Sequence, residues 1–356
     1  MTIAIDCRML NSSGIGVYLR GCLPWFLKTE HDFLLLGNKN QLQTYVSYSN
    51  VKIISCLIKP FSLRELFLFP LKIKRKLNKA QLFYSPFFNL PPVSIPVFTT
   101  IHDIIFPDMP QLVSKHGLAV RLFFFRRAHK KSVKIFTVSE FSKSRIEYHL
   151  GKTKPVVVTY SAIHPIYLEY RSRLQNIQKS ETIVFIGNIK KHKGLNCLLD
   201  AFILARKKGL THKLIIIGEK ESFRTKDNLI LQKINSIDPD AVSFTGFISD
   251  EQLMENLTHA SLLVQPSLYE GFCLPPLEAM VLGTHALVSD IPVLKEIYDS
   301  FPVTFFRAGD HLDLKNKILK ILDKKNNLKI SLPEHLVNKY TFQKTSSVIL
   351  HNLTSS

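Results

Sequence analysis

The chain has 356 residues, 46% hydrophobic and 21% charged, with a formal net charge of +19 at pH 7. This length and composition exclude a disordered chain and allow two globular domains, each with its own core. The strong positive charge predicts an anionic partner, a class that includes nucleic acid, anionic lipid and phosphorylated substrates.

Several signals favour the cytosol. Asp6 and Arg8 interrupt the first ten residues, so we expect no secretory leader there. No apolar run approaches the roughly 18–20 residues that span a bilayer. The five cysteines include no C-x-x-C pair, which favours a reducing compartment and argues against a disulfide scaffold or a zinc ribbon.

The positive charge is concentrated in the first half. Residues 1–170 contain 23 Lys and Arg against 9 Asp and Glu, whereas residues 171–356 contain 24 against 19. Segments 63–76 and 122–131 mix bulky apolar residues with Lys and Arg, which is typical of a headgroup interface and also of a core helix with a solvated basic face. We predict peripheral binding to an anionic membrane surface on its cytoplasmic side, and no nucleic-acid partner.

Apolar runs of strand length alternate with helix-length segments, which predicts a doubly wound α/β architecture. In the first half the pattern predicts strands at 2–6, 33–36, 51–55, 81–84, 96–101, 134–138 and 155–159. It predicts helices at 16–28, 62–79 with a break at Pro70, 115–131 and 140–150.

The second half repeats this alternation. The predicted strands are 182–187, 213–218, 241–245, 261–265, 285–289 and 303–306. The predicted helices lie near 194–208, 223–236, 249–259, 276–282, 292–299 and 311–324. A polar, aperiodic stretch at 170–180 is the predicted linker. The predicted boundaries are 1–165 for the first domain, 166–335 for the second and 336–356 for a terminal helix.

Two short motifs of the first half follow predicted strands. Gly14 and Gly16 form either a ligand-approach loop or a simple turn, since Leu19 replaces the third glycine of a dinucleotide fingerprint. His102 comes at the end of the fifth predicted strand, where an imidazole can face a ligand crevice or serve as a structural residue. Asp103 would position that imidazole or hold the loop.

A basic loop follows the first strand of the second half. It runs from Gly187 to Gly194 and contains Lys190, Lys191 and Lys193. These lysines are either point charges for a phosphate or an ordinary solvated cluster.

The most informative segment contains Glu270 and Glu278, eight residues apart across a Gly-Pro loop. Glu270 follows a predicted strand and Glu278 falls in the first turn of the next predicted helix. Backbone N–H groups at a helix start attract phosphate, and carboxylates accept hydrogen bonds from hydroxyls. The segment therefore fits a nucleotide sugar, although a capped turn with a surface glutamate has the same spacing. The predicted phosphate-binding backbone is that of Gly271, Phe272, Cys273 and Leu274.

Asp238 and Asp240 invite a metal interpretation, because a D-x-D pair can hold a divalent ion. The proline between them and the strand that follows predict a turn instead. No His/Cys cluster has metal-ligand spacing, so we predict neither a metal nor another cofactor.

The segment 270–278 resembles the E-x7-E signature of the GT4 family of retaining GT-B glycosyltransferases. The similarity extends to 3–8 with 14–18, to 102–103, to 138–143, to 244–253, to 283–284 and to 287–290. Together these stretches resemble the bacterial mannosyltransferase branch that builds lipid-linked O-antigen and related polysaccharides. The resemblance covers nearly the whole chain.

This resemblance implies the GT-B fold, with two Rossmann-like domains and an inter-domain crevice. It implies a nucleotide-sugar donor, GDP-mannose by branch, and a glycan or lipid-linked acceptor. Many family members carry Arg where Asn188 stands, so Lys190 or Lys191 would supply the missing cation. The implied catalytic residues are His102, Lys193 and Glu270. The implied binding residues are Gly14, Gly16, Asp103, Asn188, Lys190, Lys191, Gly271, Phe272, Cys273, Leu274 and Glu278.

Three alternative functions remain open from the sequence. A sugar-nucleotide 2-epimerase shares the fold, although no independent acid–base set for it is apparent. A glycan phosphorylase would need a pyridoxal-phosphate lysine and a much longer chain. A non-enzymatic nucleic-acid-binding protein is suggested by the net charge alone.

Overall fold

The computed structural model describes residues 1–175, 177–218, 233, 237–323, 330 and 332–355, except for the side chain of Ser13. The chain divides into two compact units. Unit 1 comprises Met1–His164 and Tyr340–Ser356, and unit 2 comprises Pro165–Lys339. Each unit is an α/β structure built on a parallel sheet, so the fold class predicted from the alternating pattern is confirmed.

Unit 1 contains a seven-stranded sheet in which every neighbouring pair of strands is parallel. The strand order is β3-β2-β1-β4-β5-β6-β7, so the direction of winding reverses between β1 and β4. The strands are β1 (Thr2–Asp6), β2 (Asp32–Gly37), β3 (Val51–Ser55), β4 (Leu82–Ser85), β5 (Val97–Thr100), β6 (Ser132–Thr137) and β7 (Val156–Val158).

The helices of unit 1 include the two halves of the segment that the sequence predicted to break at Pro70. Pro70 precedes the second half, where its missing N–H and fixed φ interrupt the helix. The helices are α1 (Ser13–Leu27), α2 (Leu63–Phe67), α3 (Leu71–Leu77), α4 (Ile105–Asp108), α5 (Lys115–Lys131) and α6 (Glu140–Leu150). Every residue of β4 and β5 is buried, as expected for the centre of a doubly wound sheet.

Unit 2 contains a six-stranded parallel sheet of the order β10-β9-β8-β11-β12-β13, whose winding reverses between β8 and β11. Its core includes an apolar cluster that contains Phe185, Phe202 and Leu287. The strands are β8 (Thr182–Ile186), β9 (Lys213–Ile217), β10 (Val242–Gly246), β11 (Leu262–Gln265), β12 (His285–Ser289) and β13 (Thr304–Phe306).

The described helices of unit 2 follow the predicted pattern in most places. The helix predicted at 223–236 lies outside the described residues, apart from Lys233. None of the helices described in either unit is long and apolar enough to cross a membrane. Those of unit 2 are α7 (Pro165–Ser172), α8 (Leu195–Lys207), α9 (Asp250–His259), α10 (Pro275–Val281), α11 (Pro292–Tyr298), α12 (His311–Ile321) and α13 (Glu334–Val337).

The stretch predicted as a linker begins inside a helix, which corrects the sequence interpretation. Helix α7 includes residues 170–172. Its start at Pro165 uses the residue type that best tolerates the first helical turn, and Tyr167 buries its ring in unit 2. The polar composition of 170–180 concealed this helix because only one side of it is apolar.

The terminal helix α14 (Phe342–Thr354) packs on α1 within unit 1. Gly21 makes this contact possible, because a Cβ atom there would lie 2.3 Å from the Phe342 ring. A parallel bridge joins Ile163 to Thr341 immediately before the helix. The Thr341 side chain caps the helix by accepting a hydrogen bond from the Lys344 N–H, 3.4 Å away.

Candidate functional site

Two loops of unit 2 follow the adjacent strands β8 and β11, where the winding of the sheet reverses. In doubly wound sheets this position, at the carboxyl ends of the strands, is the usual place for a ligand. The loops are joined directly, because the Leu268 N–H donates a hydrogen bond of 2.7 Å to the His192 carbonyl oxygen. Gly194 has φ +72°, and a Cβ atom there would lie 1.8 Å from the Pro266 carbonyl oxygen. The first loop therefore requires glycine where it enters α8.

The two loops bring the side chains of Lys193 and Glu270 together. The Lys193 Nζ lies 2.7 Å from Glu270 Oε1 and 2.9 Å from Oε2. Ser267 Oγ donates a further hydrogen bond of 2.7 Å to Oε1. Burial raises the pKa of Glu270, but the Lys193 charge and these hydrogen bonds outweigh it, so the pKa lies below its usual range. Glu270 is therefore an ionised carboxylate at neutral pH.

The segment between the two glutamates has a constrained backbone. Cys273 adopts φ +75°, a conformation that costs free energy in a residue with a side chain. Its carbonyl oxygen accepts a hydrogen bond from the Tyr298 hydroxyl on α11, which holds the turn in place. Leu274 is the N-cap residue, and Pro275 and Pro276 occupy the first helical positions. Gly271, Phe272, Cys273 and Leu274 thus lead directly into the start of α10, as predicted.

Glu278 lies in the first turn of α10, and its environment differs from that of Glu270. Its neighbours include Tyr167 of α7, whose hydroxyl forms a hydrogen bond with it, and Asp250 of α9. Burial raises the pKa of Glu278 to about 7, and Asp250 adds to that rise while the Tyr167 hydrogen bond opposes it. At neutral pH this carboxyl group therefore exists in both protonation states.

The basic loop carries its charges in two different ways. Lys193 is committed to Glu270, whereas Lys190 and Lys191 are exposed and form no ion pair with any carboxylate of the described ranges. Asn188 is half-buried at the carboxyl end of β8, and its carbonyl oxygen accepts a hydrogen bond of 2.8 Å from the Lys190 N–H. Burial, aided by the charge of Lys193, lowers the pKa of His192 to about 4, so this imidazole is neutral.

In unit 1 the glycine pair does not form the loop that the sequence predicted. Helix α1 begins at Ser13, so Gly14 and Gly16 belong to its first turns. The Gly16 N–H donates to the Ser12 carbonyl oxygen, 3.0 Å away. A Cβ atom on Gly16 would lie 2.4 Å from the Leu10 carbonyl oxygen, so packing explains this glycine. Gly14 is exposed, and nothing lies within 4 Å of the position a Cβ atom would take.

His102 lies two residues beyond the end of β5. Its Nε2 is 2.8 Å from the Pro86 carbonyl oxygen, and its ring contacts Tyr18 edge to face with centroids 4.8 Å apart. Burial lowers the pKa of His102 to about 4, so the imidazole is neutral and Nε2 carries the proton that Pro86 accepts. Asp103 Oδ1 accepts a hydrogen bond of 3.2 Å from the Ile105 N–H, a contact that holds the loop.

The Asp238 and Asp240 pair forms a turn, as predicted. Asp238 Oδ1 accepts a hydrogen bond of 3.0 Å from the Asp240 N–H, and the Asp238 carbonyl oxygen accepts one from Ala241. Among the residues that the structure describes, no group of three or more His, Cys, Asp or Glu has the geometry of a metal site.

Sequence reasoning missed two residues of this site. Ser267 lies three residues before Glu270, so its closeness in the chain was an available signal. Tyr167 lies 111 residues before Glu278 in the numbering, and nothing in the local pattern signals their contact.

The chain has the GT-B fold, which its similarity to solved glycosyltransferase structures shows. HepE of Anabaena, solved with UDP and glucose, is 18% identical and matches over 100% of both chains with a TM-score of 0.71. Sucrose-phosphate synthase of Thermosynechococcus elongatus is 15% identical and matches over 100% of both chains with a TM-score of 0.72. Residues 168–339 match the family model described as "Glycosyl transferases group 1".

Curated relatives are similar over part of their length. O-antigen chain mannosyltransferase B of Escherichia coli is 27% identical over 232 residues, which are 62% of this chain and 59% of the relative. O-antigen chain mannosyltransferase RfbU of Salmonella typhimurium is 28% identical over 209 residues, 56% of this chain and 53% of the relative. The chain thus spans somewhat more than half the length of these two relatives.

Proposed function

We propose that the protein is a retaining, metal-independent glycosyltransferase that moves a sugar from a nucleoside-diphosphate donor to a glycan acceptor. The observation that carries this proposal is the Lys193–Glu270 pair, set on the two loops where the sheet of unit 2 reverses its winding. A cation and an ionised acid at this position provide for the two chemically different ends of a sugar diphosphate. The family match of residues 168–339 supports the same conclusion.

The chemistry of transfer explains the charges. When the bond between sugar and diphosphate breaks, negative charge grows on the departing phosphate, and stabilising that charge is the largest catalytic need. Lys193 would supply a cation there, and the exposed Lys190 and Lys191 would replace the arginine that the family places at Asn188. Glu270, held ionised, would accept hydrogen bonds from sugar hydroxyls. Glu278 would do the same for the ribose.

Retention of configuration follows from an internal-return mechanism. The acceptor oxygen forms its bond to the sugar on the face from which the diphosphate leaves, and its proton passes to an oxygen of the departing phosphate. In this mechanism a carboxylate nucleophile is not required, so Glu270 and Glu278 serve binding. His102, neutral and fixed by Pro86, would contact the sugar as an uncharged group.

GDP-mannose is the donor we propose, because several curated relatives carry names of O-antigen mannosyltransferases. We propose a lipid-linked acceptor in surface-polysaccharide synthesis and work at the cytoplasmic face of a membrane. Unit 1 supports this placement. The side chains of α2 and the residues beside it expose large apolar groups next to the basic helix α3. These are Leu63 (74% exposed), Phe67 (77%), Leu68 (71%) and Leu71 (65%).

A panel of nucleotide sugars tests the donor. We expect GDP-mannose to raise the unfolding temperature of the protein, because a ligand that binds only the folded state stabilises it. UDP-, ADP- and dTDP-sugars should have smaller effects at equal concentration. Stabilisation by none of these compounds would contradict the donor site. Turnover of the donor to an epimer without any acceptor would favour the 2-epimerase alternative over transfer.

A further inference from the structure

A surface cavity of about 570 Å³ lies against α5 in unit 1, and none of its lining residues is assigned above to donor binding. One face of the helix lines it, because residues four or three positions apart along a helix point the same way. The lining residues are Ala119, Phe123, Arg126, Arg127, Lys130 and Lys131.

The four cations of this cavity have no carboxylate partner in the part of the chain that the structure describes. Arg127 donates a hydrogen bond of 2.5 Å to the Leu90 carbonyl oxygen, which fixes its guanidinium without neutralising it. The carboxylate that acts electrostatically on Arg127 is that of Glu65, which is already ion-paired with Arg8 at 2.6 Å. The positive charge of the cavity therefore remains uncompensated within unit 1.

A second element adds to this positive charge. Burial lowers the pKa of Lys131, and Arg127 and Lys74 of α3 lower it further. Lys131 is therefore close enough to a cation of each helix to be repelled by it. Like charges at i and i+4 on one helix, as at Arg126 and Lys130, also disfavour each other. An anion held between them would remove both kinds of repulsion.

The dipole of α5 explains only some of the cations that line this cavity. It favours cations in the last turn of a helix, where Lys130 and Lys131 stand. Its influence fades beyond that turn, so it does not account for Arg126 and Arg127. It also does not account for the apolar half of the cavity.

That apolar half is exposed. Phe123 is 54% exposed and Val120 is 41% exposed on the same helix. The Phe123 ring contacts Phe124 with centroids 5.5 Å apart, and Phe124 contacts Phe61 at 5.3 Å. The buried ring of Phe124 thus links the exposed Phe123 to Phe61, which lies just before α2. A free phosphate needs the cations but has no use for this surface, whereas a lipid phosphate needs both.

We propose that this cavity binds the terminal phosphate or diphosphate of a membrane lipid, with the cations on the phosphate and the lipid chain along Phe123. The exposed Arg126, Lys130 and Lys131 and the half-buried Arg127 would contact the phosphate. The proposal extends the proposed function, because it gives the lipid end of an acceptor a site of its own. It rests on that function only for the identity of the lipid.

Vesicle flotation tests the site with the full chain. The probes are vesicles of phosphatidylcholine that contain either phosphatidic acid, whose phosphate is terminal, or phosphatidylglycerol, matched in surface potential. The test variant is Arg126→Gln with Lys130→Gln, two exposed side chains without a described hydrogen bond or ion pair. The matched control is Lys207→Gln with Lys208→Gln, which removes the same charge at the exposed end of α8.

We expect the protein to bind phosphatidic acid vesicles more tightly than phosphatidylglycerol vesicles. The Arg126/Lys130 variant should lose roughly 30-fold in affinity for phosphatidic acid, since each cation near an anionic surface contributes a factor of about five. The Lys207/Lys208 control should change it by less than about threefold. Phe123→Ser should weaken vesicle binding and leave the binding of soluble diphosphate unchanged.

Equal losses in the two double variants, or equal binding to both anionic vesicles, would overturn the site in favour of diffuse attraction. Full competition by soluble diphosphate, with no effect of Phe123→Ser, would overturn the lipid assignment in favour of a free phosphate site. Thermal shift by nucleotide sugars should be unchanged in the Arg126/Lys130 variant. A protein that binds the vesicles as expected but no nucleotide sugar would contradict the proposed donor and leave this site standing.

Discussion

An ionic cluster lies at the carboxyl end of the sheet in each unit, and the two clusters differ in composition. In unit 1, Arg8 lies 2.6 Å from both Asp6 and Glu65, and all three side chains are at most 1% exposed. In unit 2, Lys193 is 23% exposed and is ion-paired with Glu270, which is 9% exposed.

The difference separates a structural cluster from one that can exchange partners. Arg8 is enclosed by two carboxylates, so a ligand anion would find its guanidinium already neutralised. The cluster fixes the short helix α2 to the end of β1 through Glu65. Among the ion pairs of the described residues, Lys193 is paired with one carboxylate, and it is 23% exposed, so a phosphate can approach it. Burial alone does not distinguish the two clusters, whereas the ratio of charges and the exposure of the cation do.

The largest expected effect is the loss of Arg8. Arg8→Met leaves the Asp6 and Glu65 carboxylates buried without a cation, and removing one partner of a buried pair costs about 3–5 kcal/mol. Urea denaturation would measure the lower free energy of unfolding. The control Arg64→Met changes an exposed residue of α2, the helix that contains Glu65. Its free energy of unfolding should stay within about 0.5 kcal/mol of the wild type. A decrease of under about 1 kcal/mol in the free energy of unfolding of Arg8→Met would show that the Arg8 cluster is not the structural cluster described above.

Glu278→Gln should stabilise the protein at alkaline pH. The pKa of Glu278 is raised from 4.5 to about 7 in the folded state, so the folded protein binds more protons between these values. Stability therefore falls as the pH rises through this window, by about 3 kcal/mol when complete. The amide keeps an acceptor for Tyr167 and does not ionise.

Urea denaturation at pH 4.5 and pH 8 would measure the difference. We expect near-equal stability of variant and wild type at pH 4.5 and a more stable variant at pH 8. Donor binding by the same variant should weaken at pH 8, since the ribose would lose an acceptor that is ionised there. A variant that is no more stable at pH 8 than wild type would show that Glu278 titrates normally.

Glu270→Gln should reduce transfer from the proposed donor. A neutral amide loses a charge-assisted hydrogen bond worth about 1.5–3 kcal/mol, which corresponds to roughly one to two decades in rate. Initial rates with donor and acceptor measure this loss. Glu255→Gln, an exposed residue of α9, serves as the control and should retain full activity. Near-normal transfer by Glu270→Gln would show that the Lys193–Glu270 pair has a structural role, like the Arg8 cluster of unit 1.

The smallest effect is expected for Asp238, a carboxylate that is exposed and lies outside both clusters. Asp238 is 58% exposed and lies 4.0 Å from Arg206, so Asp238→Asn should change the free energy of unfolding by under about 0.5 kcal/mol. We expect transfer to continue in the presence of EDTA. A requirement for added manganese or magnesium that disappears in Asp238→Asn would contradict both expectations.

Much of the fold was predictable, because local signals coincide with the elements. The bounds predicted for α5 and α6 agree with the structure, since Ser114 and Ser139 carry side chains that cap these helices. Pro70 marked the break between α2 and α3. The start of α1 was predicted three residues late, because the Gly14 and Gly16 pair has the composition of a loop.

The contacts of the candidate site were less predictable. The positions of Glu270 after a strand and Glu278 in the first turn of a helix followed from local pattern. Their partners did not, because Lys193 and Tyr167 are brought to them by the sheet and by α7. For the same reason the pKa values of the two acids shift in opposite directions although they share one loop. Arg8 was noted only as a charge near the start of the chain, and its pairing with Glu65 depends on tertiary packing.

The return of α14 to α1 sets an order of assembly during synthesis. Unit 2 is one continuous stretch, so all of its residues are synthesised before those of α14. The first segment of unit 1 precedes unit 2 in the chain, whereas the Phe342 ring that covers Gly21 follows it. At about 5–20 residues per second, the roughly 180 residues between His164 and Phe342 take on the order of 9–36 s to synthesise. For that interval Gly21 lacks the ring that covers it, so α1 completes its packing only after unit 2 has been made.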